Sequence, residues 1–106
     1  MKILIAEDDA VSRKILETIL TKGGHEVQSC LDGDQAWEAL QKPSAPRLAL
    51  LDWMMPGIEG PELCRRLRQL PHGGLAYLIL VTARGQTQDI VDGLEAGAND
   101  YVTKPY

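Results

Sequence analysis

The residues of this sequence that could do chemistry are carboxylates, a hydroxyl and an amine. Glu7, Asp8 and Asp9 follow a short apolar run, Asp52 closes a second, Thr82 closes a third, and Lys104 lies in Thr103-Lys104-Pro105 after a fourth. Two carboxylates ~4 Å apart repel by about 4 kcal/mol at an effective dielectric of roughly 20, so clustered aspartates are costly without a cation. Oxygen donors without Cys or His suit a hard ion, and a few carboxylates completed by water suit Mg²⁺. Such an ion neutralises the cluster and accepts phosphate oxygens. Lys104 offers a second positive charge for an anion, and Thr82 offers a hydroxyl donor. The combination fits phosphoryl transfer, where catalysis is mostly positioning and charge neutralisation. A carboxylate can itself be the nucleophile and carry an aspartyl-phosphate.

These groups meet only if the runs that carry them lie side by side. Lys2–Ala6, Glu26–Cys30, Leu48–Leu51, Ala76–Val81 and Tyr101–Val102 read as strands. Three of them are apolar at nearly every position, the pattern of parallel strands covered on both faces by helices. Between them run helical stripes: Val11, Ile15, Leu16, Ile19 and Leu20, stopped by Gly23-Gly24; Ala36, Trp37 and Leu40, stopped before Pro43; Leu63, Cys64, Leu67 and Leu70, with Pro61 near the start and Pro71 beyond the end; Ile90, Val91 and Leu94, closed near Gly97. The order is β-α-β-α-β-α-β-α-β. Right-handed crossovers make this one doubly wound α/β domain over residues 1–106. In such a sheet the functional crevice lies beyond the carboxyl ends of the strands, where strand order reverses. Asp8, Asp9, Asp52, Thr82 and Lys104 all fall there, and it is the full set, not any one member, that carries weight.

The 106 residues suit one domain, and the net charge of -4 argues against a nucleic-acid surface, which needs a basic patch. Arg65, Arg66 and Arg68 read as a solvated helix face. Cys30 and Cys64 are too few and too far apart for a disulfide framework and read as reduced thiols of a cytoplasmic protein. His25 and His72 read as solvated loop residues. No basic region followed by a long apolar run opens the chain, and no run approaches a bilayer span.

The stretches AEDD at 6–9, LLDWMMPGIEG at 50–60, VTAR at 81–84 and GANDYVTKPY at 97–106 resemble the receiver domains of two-component response regulators, and the resemblance covers the whole chain. It implies a flavodoxin-like five-stranded parallel sheet of order 2-1-3-4-5, the order of a chemotaxis receiver. It implies Asp52 as phosphoacceptor, and Asp9, Asp52 and the Met54 backbone carbonyl as direct Mg²⁺ ligands, with Asp8 holding the ion through water. Glu7 is then left as a residue capping the strand end. Lys104 pairs with the carboxylate or the phosphoryl oxygens, Thr82 swings to bond the phosphoryl group, and Tyr101 is the aromatic switch that turns inward with it. The Lys104-Pro105 bond is expected to be cis. Met54 and Arg84 occupy the positions that tune phosphate lifetime. Neither carries a carboxamide or carboxylate to orient a water, so self-dephosphorylation should be slow to moderate. Trp53 should pack on the face opposite Asp52, and Trp37 in the core.

The implied partners are a sensor histidine kinase or phosphotransfer protein and an output domain in a longer chain, with a homodimer as a further arrangement, and neither nucleic acid nor membrane. The stretches from 52 to 68 and 81 to 106 look like receivers placed before diguanylate cyclases or related signalling domains. The only catalysis implied is self-phosphorylation and self-dephosphorylation. Receivers normally continue into a fifth helix beyond Lys-Pro, which this sequence lacks. Its absence removes about four large apolar side chains, roughly 6–12 kcal/mol of burial. The expectation is therefore an N-terminal excerpt, or a strip covered by a partner or swapped element. Two rivals remain. A phosphate-independent receiver-like module is disfavoured by the complete set of acids, Thr82 and Lys104. A phosphatase of the haloacid dehalogenase kind wants a second aspartate two residues after the nucleophile, where Met54 stands. A dinucleotide-binding domain is excluded by the first loop, EDDAVS, which has no glycine-rich turn.

Overall fold

Short apolar runs flanked by amphipathic helices must bury both faces of a sheet, and this chain does so with parallel strands joined through helices. The computed structural model of the chain describes residues 1–71, 76–83 and 87–104. The elements are β1 (Lys2–Ala6), α1 (Ala10–Lys22), β2 (Glu26–Cys30), α2 (Gly33–Leu40), β3 (Leu48–Asp52), α3 (Gly60–Arg68), β4 (Tyr77–Thr82), α4 (Thr87–Glu95) and β5 (Asp100–Thr103). All strand pairs are parallel and the order is β2-β1-β3-β4-β5, as expected from the sequence.

Alternate residues of the strands feed two cores. Leu4, Ala6, Ala49, Leu51, Leu78 and Leu80 meet Ala36, Ala39 and Leu40 of α2 and Leu63, Cys64 and Leu67 of α3. Ile3 and Ile5 meet Leu16 of α1, with Leu20, Val27, Leu48 and Leu50 partly buried around them. The first core is the larger. On the second side Val11, Ile15 and Ile19, three of the five residues of the α1 stripe, are exposed. Both cysteines are buried, and burial pushes the Cys64 thiol up to about 12, so it is inert. Trp37 is half-buried against the larger core, with Arg66 5.8 Å from its ring centroid.

The arginine cluster divides. Arg65 and Arg66 pair with Glu62 on the surface of α3, as a solvated face should. Arg68 does not. Its guanidinium donates to the carbonyls of Gly97 (2.9 Å) and Ala76 (2.8 Å) and to Asn99 Oδ1 (2.6 Å), and that oxygen also accepts from the Leu78 amide. A planar fork of donors at the end of α3 thus ties it to the starts of β4 and β5. His25 is half-buried beside Gly23 rather than solvated, and His72 lies outside the described residues.

Leu63 is fully buried between α3 and the sheet. Leu63→Ala should destabilise the domain by about 2–5 kcal/mol. Ile19→Ala, at an exposed site, should stay within about 0.5 kcal/mol of the parent. Urea unfolding followed by circular dichroism measures both, and equal losses would contradict this assignment of the core.

Candidate functional site

Register decides which acids meet. Ala6 pairs with Leu51, so the next residue on each strand, Glu7 and Asp52, lie level at the carboxyl rim. Asp52 in turn pairs with Val81, and Thr82 with Thr103, which brings Thr82 and Lys104 to the same rim. The Lys104 amide donates to the Thr82 carbonyl at 2.8 Å, fixing where its side chain starts.

Carboxylate oxygens of Glu7, Asp8 and Asp52 all lie within 4.8 Å of one another. Glu7 is 1% exposed, and Asp52 and Thr82 are buried with it, while Asp8 faces solvent. The Lys104 ammonium donates to Glu7 Oε1 at 2.5 Å and lies 3.5 Å from Asp52 Oδ2. Arg13 Nη1 donates to the Glu7 carbonyl at 2.9 Å, which holds the β1–α1 turn to the first helix.

One ammonium against three carboxylates leaves the cluster negative, and the protonation of the acids reflects it. Burial, then the adjoining Glu7 carboxylate, pushes Asp52 up to about 7 against the pull of Lys104. Burial also opposes ionisation of Glu7, but hydrogen bonds from Asp52, Lys104 and the Asp9 amide outweigh it and hold Glu7 below the usual glutamate range. Without a metal, burial and the neighbouring Glu7 therefore oppose ionisation of Asp52. The donors are all hard oxygens, their charge is under-compensated, and they open to solvent on the Asp8 side. That set fits a hard divalent cation.

Asp9 stands apart from this cluster. Its Oδ2 accepts from the Ser12 amide at 2.8 Å and caps α1, and that bond holds its carboxyl below the ordinary aspartate range. The expected direct metal role of Asp9, with Asp8 acting through water, therefore does not fit the geometry. The acids that meet Asp52 are one residue earlier, Glu7 and Asp8. Glu7 is also more than a cap on the strand end, because it is the principal partner of Lys104. Two signals point to this register. Glu7 and Asp52 are each the first polar residue after an apolar strand, and Asp9-Ala-Val-Ser12 reads as a helix N-cap.

The other expected residues flank the cluster. Tyr101 is half-buried and meets Trp53 edge-on, with ring centroids 6.2 Å apart. Trp53 is buried in the larger core, as expected of a residue turned away from Asp52. The Met54 side chain is exposed and that of Met55 is buried. Arg84 and Pro105, and with them the lifetime position and the Lys104-Pro105 bond, lie outside the described residues.

A parallel α/β sheet with an acid cluster, a threonine and a lysine on its carboxyl rim defines a small signalling class rather than a dinucleotide-binding one. The chain belongs to the response regulator receiver domain family, whose pattern it matches over residues 3–106. It is 46% identical over 105 residues to the phosphate regulon transcriptional regulatory protein PhoB of Rhizobium meliloti, covering 99% of this chain and 46% of that protein. The chain thus spans about half the length of the curated relatives it matches. Among solved structures it resembles the BeF3-activated N-terminal receiver domain of Klebsiella pneumoniae RstA, with a TM-score of 0.88, 34% identity, and coverage of 100% of this chain and 87% of that one. It also resembles the receiver domain of sensor histidine kinase PA1611 from Pseudomonas aeruginosa, solved with magnesium in the active site cleft. There the TM-score is 0.89, with 30% identity and coverage of 99% and 85%.

The raised Asp52 carboxyl makes stability depend on pH. A carboxyl raised in the folded state stabilises it fully below the ordinary aspartate value of 3.8, and that contribution is lost as pH rises through about 7. Glu7 acts in the opposite sense, but its contribution falls away only below the ordinary glutamate value of 4.5. Between about pH 5 and pH 8 the metal-free domain should therefore lose stability, and Mg²⁺ should reduce the loss by favouring the ionised acids. The urea midpoint across this range, with and without Mg²⁺, reads the effect. A midpoint that rises with pH in the metal-free protein would contradict it.

Proposed function

We propose that Asp52 accepts a phosphoryl group from the phosphohistidine of a sensor histidine kinase or phosphotransfer protein, in an Mg²⁺-dependent reaction. The observation that carries this reading is a buried aspartate at a strand end, flanked by two further acids and a lysine. One Asp52 carboxylate oxygen forms the bond to phosphorus while the phosphorus–nitrogen bond breaks, and the departing imidazole takes up a proton. Glu7, Asp8, Asp52 and the Met54 carbonyl would hold Mg²⁺, which would supply the positive charge that offsets the acids and the phosphoryl oxygens. Lys104 leaves its partners Glu7 and Asp52 to pair with the phosphoryl group. Thr82 donates its hydroxyl to the same group. Tyr101 follows Thr82 and carries the change, through its contact with Trp53, towards α4 and β5. Met54 and Arg84, with no group to orient a water, give the phosphorylated state a slow to moderate decay.

The output lies in a longer chain. The names of the full-length relatives favour a transcriptional output over the diguanylate cyclase suggested by the sequence. Among the described residues no helix is long and apolar enough to cross a membrane.

Incubation with Mg²⁺ and acetyl phosphate should add one phosphoryl group by intact mass. Asp52→Asn should abolish the gain; an unchanged gain in the variant would move the acceptor to another side chain, and no gain in the parent would leave the phosphate-independent module as the better reading. The register of the acids is tested separately. Asp8→Asn should weaken Mg²⁺ binding by about tenfold or more, whereas Asp9→Ala should lower stability by loss of the α1 cap and leave Mg²⁺ affinity within about twofold. The reverse pattern, read by titration of Trp fluorescence, would restore Asp9 as the ligand.

A further inference from the structure

We propose that Gly33, in the first turn of α2, is a positioning residue for the loop after Asp52. This helix carries none of the acids, yet it sets where the Met54 carbonyl stands. The proposal rests on the reading of that carbonyl as a metal ligand.

Gly33 does not serve the helix it begins. Asp32 already caps α2, its Oδ1 accepting from the Gln35 amide at 2.8 Å. Gly33 also lacks the positive φ that would demand glycine, for among the described residues such glycines are Gly24, Gly57 and Gly97. Alanine would favour a helix here. What excludes it is the loop. A Cβ on Gly33 would stand 1.8 Å from the Ile58 carbonyl oxygen, 2.6 Å from its carbon and 2.9 Å from the Ile58 nitrogen. All three are backbone atoms, which cannot swing aside as a side-chain end can. The Gly33 amide donates to the Pro56 carbonyl at 3.2 Å across the same contact.

The loop approaches α2 as closely from its own side. Gly57 has φ 79°, and a Cβ there would stand 2.7 Å from the Asp34 carboxylate. At the far end of the loop the Gly60 amide donates to the Trp53 carbonyl at 2.9 Å, and a Cβ on Gly60 would stand 2.5 Å from the Asp52 carbonyl oxygen. Residues 53–59 are thus pinned by backbone contact at the bend and at the exit. Met54 lies between Asp52 and the bend, with its side chain exposed. The two backbone contacts limit where the loop, and with it the Met54 carbonyl, can stand, and the one at the bend depends on Gly33.

The test compares Gly33→Ala with Leu20→Ala, a truncation of similar cost on the α1 side, away from the loop. Gly33→Ala should weaken Mg²⁺ binding by about tenfold or more and shift the amide resonances of residues 54–58 in the metal-free protein. Leu20→Ala should lower stability while leaving both within about twofold affinity and parental shifts. Equal losses of affinity in the two variants, or parental affinity and shifts in Gly33→Ala, would overturn the proposal. Should Gly33→Ala fail to fold, Gly57→Ala decides by Mg²⁺ affinity alone, because an alanine at φ 79° strains the same bend from the loop's own side. A loss of about tenfold is expected, and parental affinity there would also overturn the proposal. A parent protein that binds no Mg²⁺ would instead sink the reading of the site, and the amide shifts would still judge the placement of the loop.

Discussion

Three carboxylates held within a few ångströms of one another, two of them buried, resist their own arrangement. Each would gain by moving into water, where its charge is solvated and its neighbours are screened. They remain because the backbone gives them no choice. Glu7 and Asp52 are the next residues after paired, fully apolar strands, and moving either would drag Ala6 or Leu51 out of the core. The stability of two hydrophobic layers is what keeps like charges together. Lys104 offsets part of the repulsion, and a proton or a cation must offset the rest.

The same arrangement makes the rim responsive. A site whose charge is unbalanced by design changes its contacts when a cation or a phosphoryl group arrives, because Lys104 has two acids to choose between. The neighbouring parts are placed to feel that change. Trp53 follows Asp52 directly and turns into the larger core, where it meets Tyr101 of β5 edge-on. Gly93 of α4 packs so closely that a Cβ there would stand 3.3 Å from the Trp53 ring. The end of β3 is thus in packing contact with the α4–β5 side. At the opposite end of the sheet the Arg68 fork ties α3 to the starts of β4 and β5.

Much of this was legible before any coordinates. The strands β1 and β2 begin and end where the sequence reading put them, β3 runs one residue further at its end, β4 is shifted by one residue at both ends, and β5 is one residue longer at each end. Apolar periodicity is a strong signal when both sheet faces are buried, because nearly every strand position must then be apolar. Asp52, Thr82 and Lys104 were legible for the same reason, as polar residues at the ends of such runs. The acids of the first loop were not. Glu7, Asp8 and Asp9 are adjacent and chemically alike, so composition cannot say which two face Asp52. Arg68 was equally hidden among three arginines, since its partners, Gly97, Asn99 and Ala76, are distant or unremarkable in sequence.

Taken alone, the sequence determined what depends on local periodicity and residue type: five strands alternating with four helices, a rim of hard oxygen donors, and a lysine to meet them. Tertiary structure decided what depends on register and close approach. Only strand pairing sets Glu7 level with Asp52 and releases Asp9 to cap a helix. Only the packing of α2 on the loop reveals why position 33 must be glycine. Both are relations between segments far apart in the chain, fixed by hydrogen bonds and excluded volume, and a local signal such as the N-cap pattern at Asp9 points to one of them without fixing it.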